Sequence, residues 1–304
     1  MAIHFGDQLA QQVRHKQSAV CVGLDPRWTS LPTAIRGSID PSNLVAVAQA
    51  TQCYCQEVID AVAAYAPIIK PQAAFFEQLG PAGMQALAAV ISHARKAGLL
   101  VLLDAKRGDI GTTAEGYADA YLGATSPWQC DALTVNPYLG DDTLLPFVNA
   151  ATARGAGVFV LVKTSNPGSG FLQDQSAAEG QTIYEKVAHV VEQHSLGCAG
   201  QSGYGSIGAV VGATYPQQLA SLRSLMPHAW ILIPGFGAQG GTAEDVVHGF
   251  DAQGLGAIVN SSRGIIFAYN LPQYQAMDWQ AAVAQATREM AQQLPIAART
   301  STTR

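Results

Sequence analysis

An apolar run leads into charged residues, among them Asp104, Lys106 and Asp109, in segment 100–114, which reads LVLLDAKRGDIGTTA. The run predicts a buried strand, and Asp104 and Lys106, two residues apart, would project from the same face of it. Asp109 follows in the turn before the next helix and could reach a different place. Opposite charges at the end of a buried strand cost desolvation and are common at active sites, where they serve acid–base or electrostatic catalysis.

The same spacing also has a purely structural interpretation. Asp104 and Lys106 could form a structural ion pair, and Asp109 could cap the following helix, since Asp is favoured at helix N-termini. The spacing D-x-K-x-x-D alone does not separate the two roles. The choice between them depends on the elements that would position these side chains.

Eight short apolar runs, bounded by polar residues or glycine, predict strands along the chain. They cover 18–25, 67–71, 99–106, 132–136, 157–165, 208–213, 229–235 and 257–262. Segments of helical period lie between them, including 44–65, 83–96, 143–154, 177–192, 217–225 and 242–248. Strands that are apolar throughout and alternate with helices are typical of parallel sheets covered on both faces. Eight such units over about 250 residues predict an α/β protein with the (β/α)8, or TIM, barrel fold, with a doubly wound open sheet as the alternative.

Both ends of the chain differ from this repeating pattern. Phe5, Leu9 and Val13 recur at a four-residue spacing, which predicts an additional amphipathic N-terminal helix rather than a signal peptide. No Pro/Ser-rich linker or charge block divides the chain, so we expect one barrel domain over residues 1–294. Residues 295–304 lose the apolar period, and we expect a disordered tail there.

The composition excludes several classes of partner. With 48% hydrophobic residues, 13% charged residues and a formal net charge of −5, the chain is typical of a soluble globular protein without a nucleic-acid surface. No apolar run approaches the ~20 residues of a bilayer-spanning helix, so we expect no membrane partner and a cytoplasmic location. The five cysteines are odd in number and favour reduced thiols. Cys53 and Cys55 lack a second ligand cluster at suitable spacing, so no metal site is expected.

The predicted barrel brings charged residues to one face. Parallel strands open their carboxyl ends onto the same face, where barrel enzymes carry their chemistry. Residues at these ends are Asp25, Lys70, Asp104 with Lys106, Asn136, Thr164 with Ser165, Gly235 and Arg263. This list is rich in charge, which favours the catalytic interpretation of segment 100–114.

Glycine-rich segments follow the seventh and eighth predicted strands, GFGAQGG at 235–241 and NSSRG at 260–264. Loops at these positions commonly bind phosphate through backbone N–H groups, and Arg263 would add a bidentate charge. Tight turns beside a surface arginine are the structural alternative. Residues 203–208, GYGSIG, match G-x-G-x-x-G but precede a strand, so no dinucleotide cofactor is expected there. We predict a phosphorylated small-molecule substrate.

Six motifs, in this order, resemble those of the orotidine 5′-phosphate (OMP) decarboxylase family, type 2 subfamily. They are VGLDPR at 22–27, IIKPQ at 68–72, LDAKRGDIGTTA at 103–114, KTSNPGSGF at 163–171, PGFGAQGG at 234–241 and NSSRGI at 260–265. The resemblance extends over nearly the whole chain. It implies a homodimer that decarboxylates OMP to UMP, the last step of de novo pyrimidine biosynthesis, without a cofactor or metal.

The resemblance also implies a role for each charged residue. Lys70, Asp104, Lys106 and Asp109 would form an alternating array of charges, in which Asp109 is donated by the partner subunit. Lys106 would protonate the carbanion at C6 of the pyrimidine. The implied substrate-binding residues are Asp25, Lys70 and the partner-derived Thr113 at the ribose, Ser165 or Thr164 at the pyrimidine, and Gln239, Gly237 and Arg263 at the 5′-phosphate.

Two other functions stay open at this stage. Metal-dependent sugar-phosphate decarboxylases and aldolases of the same superfamily share the D-x-K-x-x-D strand, but they carry an acidic metal ligand after the second strand, where this chain has Lys70. A non-catalytic nucleotide-binding barrel would keep the phosphate loops, yet it would have no need of four charges beside an apolar base.

Overall fold

A closed barrel of eight parallel strands forms the centre of the molecule, which is described here by a computed structural model over residues 4–176, 180–237 and 241–294. The strands follow one another in chain order, and the first pairs with the last. They are β1 (Val20–Leu24), β2 (Ile68–Pro71), β3 (Leu100–Arg107), β4 (Ala132–Val135), β5 (Gly157–Lys163), β6 (Ile207–Val211), β7 (Ile231–Pro234) and β8 (Ala257–Ser261). The predicted TIM barrel is therefore confirmed, and closure of the sheet excludes the open-sheet alternative.

Helices cover the outer face of the barrel. Within the described residues they are α1 (Phe5–Lys16), α2 (Thr33–Arg36), α3 (Leu44–Val62), α4 (Ala74–Glu77), α5 (Gly80–Lys96), α6 (Gly111–Leu122), α7 (Leu145–Arg154), α8 (Ile183–Gly197), α9 (Pro216–Leu225), α10 (Ala243–Val246), α11 (Arg263–Ile266) and α12 (Trp279–Gln293). Alternate strand residues such as Val22, Ile69 and Val101 point outward into one large apolar cluster with these helices. This packing explains why the strands are apolar on both faces.

The N-terminal helix α1 closes one end of the barrel, as the spacing of Phe5, Leu9 and Val13 predicts. All three side chains are buried in the cluster that fills the barrel interior. The Phe5 ring meets the edge of Phe159, with 6.0 Å between ring centroids. A Cβ at Gly157 would lie only 2.3 Å from the Phe5 ring, so this contact requires glycine. The strand N-termini are therefore sealed, and the strand C-termini form the accessible end.

Two predicted boundaries need correction. Strand β5 ends at Lys163, so Thr164 and Ser165 lie in the following loop. The helix predicted over 177–192 begins later, at Ile183, because Thr182 and Glu185 form a capping box. In it the Thr182 N–H donates to the Glu185 carboxylate at 2.7 Å. Residues 177–179 lie outside the described residues.

Other sequence expectations concern the whole chain. None of the helices in the described part is long and apolar enough to cross a membrane. All five cysteines are free thiols, and burial raises the pKa of Cys21 to about 12. The expected tail, 295–304, lies outside the described residues, so the division into one domain and a tail stays a prediction.

Candidate active site

A cavity of about 750 Å³ opens at the strand C-termini. One wall carries Lys70 from β2, Asp104 and Lys106 from β3, and Thr134 from β4. The opposite wall is apolar and includes Leu161, Val210, Leu232 and Pro234. The cavity therefore places a charged surface opposite a surface suited to a flat apolar ring.

The Asp104 carboxylate is at the centre of the charged wall and accepts four hydrogen bonds. Its Oδ2 accepts from Lys70 Nζ at 2.7 Å and from Gln72 Nε2 at 3.0 Å. Its Oδ1 accepts from Lys106 Nζ at 2.6 Å and from Thr134 Oγ1 at 3.0 Å. A carboxylate has about four acceptor positions, so Asp104 is fully satisfied and fixed in orientation.

Burial and charge together set the ionisation of this cluster. Burial alone would raise the pKa of Asp104, but the ammonium groups of Lys70 and Lys106 hold that pKa well below its usual range. Burial likewise acts to lower the pKa of Lys70, yet the charges of Asp104 and Asp25 raise it above its usual range. The Asp104 carboxylate and the Lys70 ammonium are therefore both charged at neutral pH.

Lys106 reaches this position through an irregular backbone. The regular alternation assumed from the sequence is interrupted between Leu103 and Arg107, where the pairing of β3 with β4 shifts register. Lys106 itself has a left-handed φ of 50°. Its side chain is 45% exposed, whereas the side chain of Asp104 is 9% exposed. Lys106 is thus the member of the cluster that presents its charge to the cavity.

Asp109 and Thr113 do not join the array within their own chain. Asp109 Oδ1 accepts a hydrogen bond from the Ile110 N–H at 2.9 Å, and Asp109 does not line the cavity. Thr113 is exposed in the first turn of α6. Neither residue therefore lines the cavity that its own chain builds.

A polar corner lies between β1 and β8. Asp25 Oδ1, Asn260 Oδ1 and Ser262 Oγ are buried and have no hydrogen-bond partner among the described residues. A Cβ at Gly23 would lie 2.9 Å from Asn260 Oδ1 and from the Ser262 Cβ, so glycine leaves room for these side chains. Buried polar atoms without partners are costly, and a polar ligand would satisfy them.

The loop after β5 supplies Thr164 and Ser165 to the cavity wall. The Thr164 hydroxyl is already engaged, since it donates to Asn166 Oδ1 at 2.7 Å and accepts from Gln173 Nε2 at 2.8 Å. The neighbouring Lys163 is buried and anchors the same loop through Asp174, 2.7 Å away. Ser165 is therefore better placed than Thr164 to bind a ligand with its hydroxyl.

The two glycine-rich loops follow adjacent strands, because Pro234 of β7 pairs with Asn260 of β8. Gly237 has φ 69° and donates its N–H to the Gly241 carbonyl at 2.8 Å, which narrows the base of the first loop. Gln239 lies outside the described residues. Arg263 is exposed at the start of α11. Both Gly237 and Arg263 lie beyond the cavity wall.

Several polar residues of this site are absent from the sequence predictions, among them Gln72, Thr134 and Asn260. Each lies two positions from a residue that faces the barrel interior, and residues two apart on a strand face the same side. The pairs are Gln72 with Lys70, Thr134 with Asn136, and Asn260 with Ile258. Strand parity could therefore have found them. Across the part of the chain that the structure describes, no three His, Cys, Asp or Glu side chains converge as a metal site would require.

Comparison with known proteins gives one consistent relationship. The sequence model described as "Orotidine 5'-phosphate decarboxylase / HUMPS family" matches residues 18–277. The chain is 54% identical over 298 residues to an orotidine 5′-phosphate decarboxylase of Rhodopirellula baltica, covering 95% of this chain and 98% of the relative. It is 46% identical over 270 residues to that of Deinococcus radiodurans, covering 88% and 90%.

Among solved structures, the fold is similar to that of the OMP decarboxylase of Leishmania donovani. The TM-score is 0.73 at 35% sequence identity, and the match covers 96% of this chain and 98% of that chain. The similarity therefore extends over the barrel as a whole and not only over the loops that carry the motifs.

Proposed function

Because the chain belongs to the orotidine 5′-phosphate decarboxylase family, we propose that it converts OMP to UMP and CO2 without a cofactor. The observation that carries this proposal is the array of Lys70, Asp104 and Lys106, in which one buried carboxylate lies between two ammonium groups at 2.7 and 2.6 Å. The six sequence motifs support the further proposal that the chain is a type 2 member.

The chemical difficulty of this reaction is a carbanion at C6 that the pyrimidine π system does not delocalise. Fixed charges have to stabilise it. Two unit charges ~4 Å apart at an effective dielectric of ~20 interact by ~4 kcal/mol, so the growing attraction between Lys106 and C6 supplies several kcal/mol. The substrate carboxylate, placed beside Asp104, meets a repulsion that is relieved when CO2 leaves.

Lys106 then protonates C6 as the general acid. Its ammonium group is the exposed end of the array, so it can contact the ring, and solvent can replace the lost proton. Asp104 stays ionised throughout, because its carboxylate accepts hydrogen bonds on both oxygens. Lys70 keeps Asp104 in place and neutralises part of its charge.

The substrate would lie across the cavity mouth. The pyrimidine would pack on the apolar wall, with Ser165 at its polar edge, and the ribose hydroxyls would donate to the unpartnered Oδ1 of Asp25. The 5′-phosphate would bind at Gln239, Gly237 and Arg263. Binding energy from this non-reacting phosphate is available to order the charged residues around C6.

We further propose that the active enzyme is a cytoplasmic homodimer in which Asp109 and Thr113 complete the partner's site. Ile110 is 62% exposed beside Asp109, and Tyr138 and Leu139 are exposed on the next loop. The two loops adjoin, since a Cβ at Gly108 would lie 2.9 Å from the Asn136 carbonyl. A second copy would bury this apolar surface and bring Asp109 to the neighbouring array. The free thiols fit a reducing compartment.

The alternative functions are less well supported by the same residues. A metal-dependent sugar-phosphate enzyme would need a ligand where Lys70 lies, and the Lys70 ammonium, raised in pKa and bound to Asp104, would repel Mg²⁺. A nucleotide-binding barrel without activity would gain nothing from holding two ammonium groups against a buried carboxylate.

Turnover of OMP by the purified protein tests this proposal. The decrease in ultraviolet absorbance as OMP disappears, with UMP identified as the product, should proceed at the same rate before and after exhaustive EDTA treatment. No conversion of OMP would refute the activity. Activity restored only by added Mg²⁺ would refute the cofactor-free mechanism.

A further inference from the structure

Thr134, on β4, is 1% exposed, and its hydroxyl makes three hydrogen bonds. Oγ1 donates to Asp104 Oδ1 at 3.0 Å and accepts from the backbone N–H groups of Ala105, at 3.0 Å, and Lys106, at 2.9 Å. A hydroxyl has one donor and two acceptor positions, so no bonding capacity remains. One side chain therefore joins the carboxylate of Asp104 to the backbone that carries Lys106.

The two amides need this partner because the β3–β4 ladder is interrupted beside them. Leu103 pairs with Leu133, and the next pair is Arg107 with Val135. Between these two pairs β3 advances by four residues while β4 advances by two, so β3 bulges. Strand residues inside such a bulge lose their ladder partners. The Thr134 hydroxyl replaces the missing acceptor and holds Lys106 at its left-handed φ of 50°.

We propose that Thr134 is a positioning residue for the decarboxylation, because its hydroxyl fixes both the Asp104 carboxylate and the Lys106 backbone in the orientation that the reaction needs. This inference rests on the proposed function and adds to it a neutral side chain outside the charged array. A substrate carboxylate repels Asp104 and would turn it aside if only the flexible side chains of Lys70, Lys106 and Gln72 held it. Thr134 has a single restricted side-chain torsion on a strand, so it resists this rotation.

The test compares Thr134→Val, which keeps the shape and removes the hydroxyl, with Thr134→Ser, which keeps the hydroxyl. Thr134→Val should lower kcat by about 100-fold, since small misplacements of reacting groups cost about this much. KM should change by less than about threefold, because the lost interaction matters in the transition state. Thr134→Ser should retain kcat within about threefold of the wild type.

Thr287→Val is the matched control. Thr287 is also fully buried, but its hydroxyl donates only within α12, to the Val283 carbonyl at 2.8 Å. This variant should lose stability without losing kcat. If Thr134→Val does not fold, Thr134→Cys replaces the hydroxyl by a weak donor of similar size, and the same fall in kcat is expected of it.

A second measurement does not depend on turnover. The pKa of the Asp104 side chain, followed by NMR on protein with ¹³C-labelled aspartate, should rise in Thr134→Val relative to the wild type, because a hydrogen bond to the charged form is lost. An unchanged Asp104 pKa, or a kcat within about twofold of the wild type in Thr134→Val, would overturn the inference. A wild-type protein that fails to convert OMP would refute the proposed function, while the pKa comparison would still decide whether Thr134 holds Asp104.

Discussion

Nζ of Lys106 lies 2.6 Å from Oδ1 of Asp104, although the Lys106 backbone is left-handed. A non-glycine residue in this region is uncommon and costs about 1–3 kcal/mol, and such residues gather at functional sites. Here the irregular backbone gives Asp104 and Lys106 different environments. Asp104 stays buried in the wall, while the Lys106 ammonium is held at the edge of the cavity, where a substrate can reach it.

Replacement of this lysine should abolish the reaction. In Lys106→Ala the carbanion loses both its nearest positive charge and its proton donor, so kcat should fall by about 10⁴-fold or more. The protein should still fold, because Asp104 keeps Lys70, Gln72 and Thr134 as partners. Steady-state kinetics measures the loss, and circular dichroism checks the fold.

Lys186→Ala is the matched control for this experiment, since Lys186 is exposed on α8 and is not among the residues that line the cavity. It should have wild-type kinetics. If Lys106→Ala kept more than about 5% of wild-type activity, Lys106 would not be the proton donor.

The two glycine-rich loops, which we propose bind the 5′-phosphate, should contribute to catalysis although the phosphate would lie away from C6. Arg263→Ala removes a guanidinium that would bind the 5′-phosphate, and kcat/KM should fall by about tenfold or more because the binding energy used to order the site is lost. Arg288→Ala, on the exposed side of α12, is the control and should have no effect. A kcat/KM within about twofold of the wild type in Arg263→Ala would remove Arg263 from the phosphate site.

The depressed pKa of Asp104 gives stability a defined dependence on pH. The folded protein holds this pKa below its ordinary value of 3.8, so the carboxylate stabilises the fold above that value. The contribution is lost as the pH falls through the folded-state pKa, where the carboxylate is protonated. The free energy of unfolding, measured by urea denaturation between about pH 3 and 7, should therefore rise with pH in the acid range.

Asp104→Asn isolates this contribution. At neutral pH the variant should be less stable by about 3–5 kcal/mol, because Lys70 remains buried without its counter-charge. The difference in unfolding free energy between the wild type and the variant should decrease as the pH falls below the ordinary aspartate range. A difference that is constant from about pH 3 to 7 would show that Asp104 is not held ionised by its neighbours.

The sequence predicts the barrel well because each strand is buried on both faces. Each strand is therefore a continuous apolar run that is visible in the sequence. Lys70, Asp104 and Lys106 could also be placed, since residues at strand ends share one face of a parallel barrel. The bulge in β3 could not be predicted, because it depends on the Thr134 hydroxyl of another strand meeting two amides. Local sequence contains no signal for such a contact.

Helices α8 and α12 show the same difference between features that local sequence encodes and features that depend on tertiary packing. The start of α8 is encoded locally, as Thr182 and Glu185 stand three residues apart in a capping-box pattern, and it could have been found. Helix α12, by contrast, buries small side chains such as Ala282 and Ala286. The hydrophobicity of its buried face therefore differs little from that of its exposed face, and the sequence pattern is weak. Its place in the fold depends on packing against α3, with Trp279 tilted against Tyr54 at 5.3 Å.

A shared active site predicts that two inactive variants restore each other. Asp109→Ala and Lys106→Ala should each be inactive as homodimers, because every site then lacks one charge of the array. After the two are mixed and allowed to exchange subunits, a heterodimer contains one site with both defects and one with neither. Random exchange should recover about one quarter of wild-type activity, since half of the dimers are heterodimers with one intact site of two.

The control mixes Lys106→Ala with a double variant that carries both Lys106→Ala and Asp109→Ala, and this mixture should recover nothing. If the first mixture also stayed inactive while mass spectrometry detected heterodimers, Asp109 would act within its own chain or not at all.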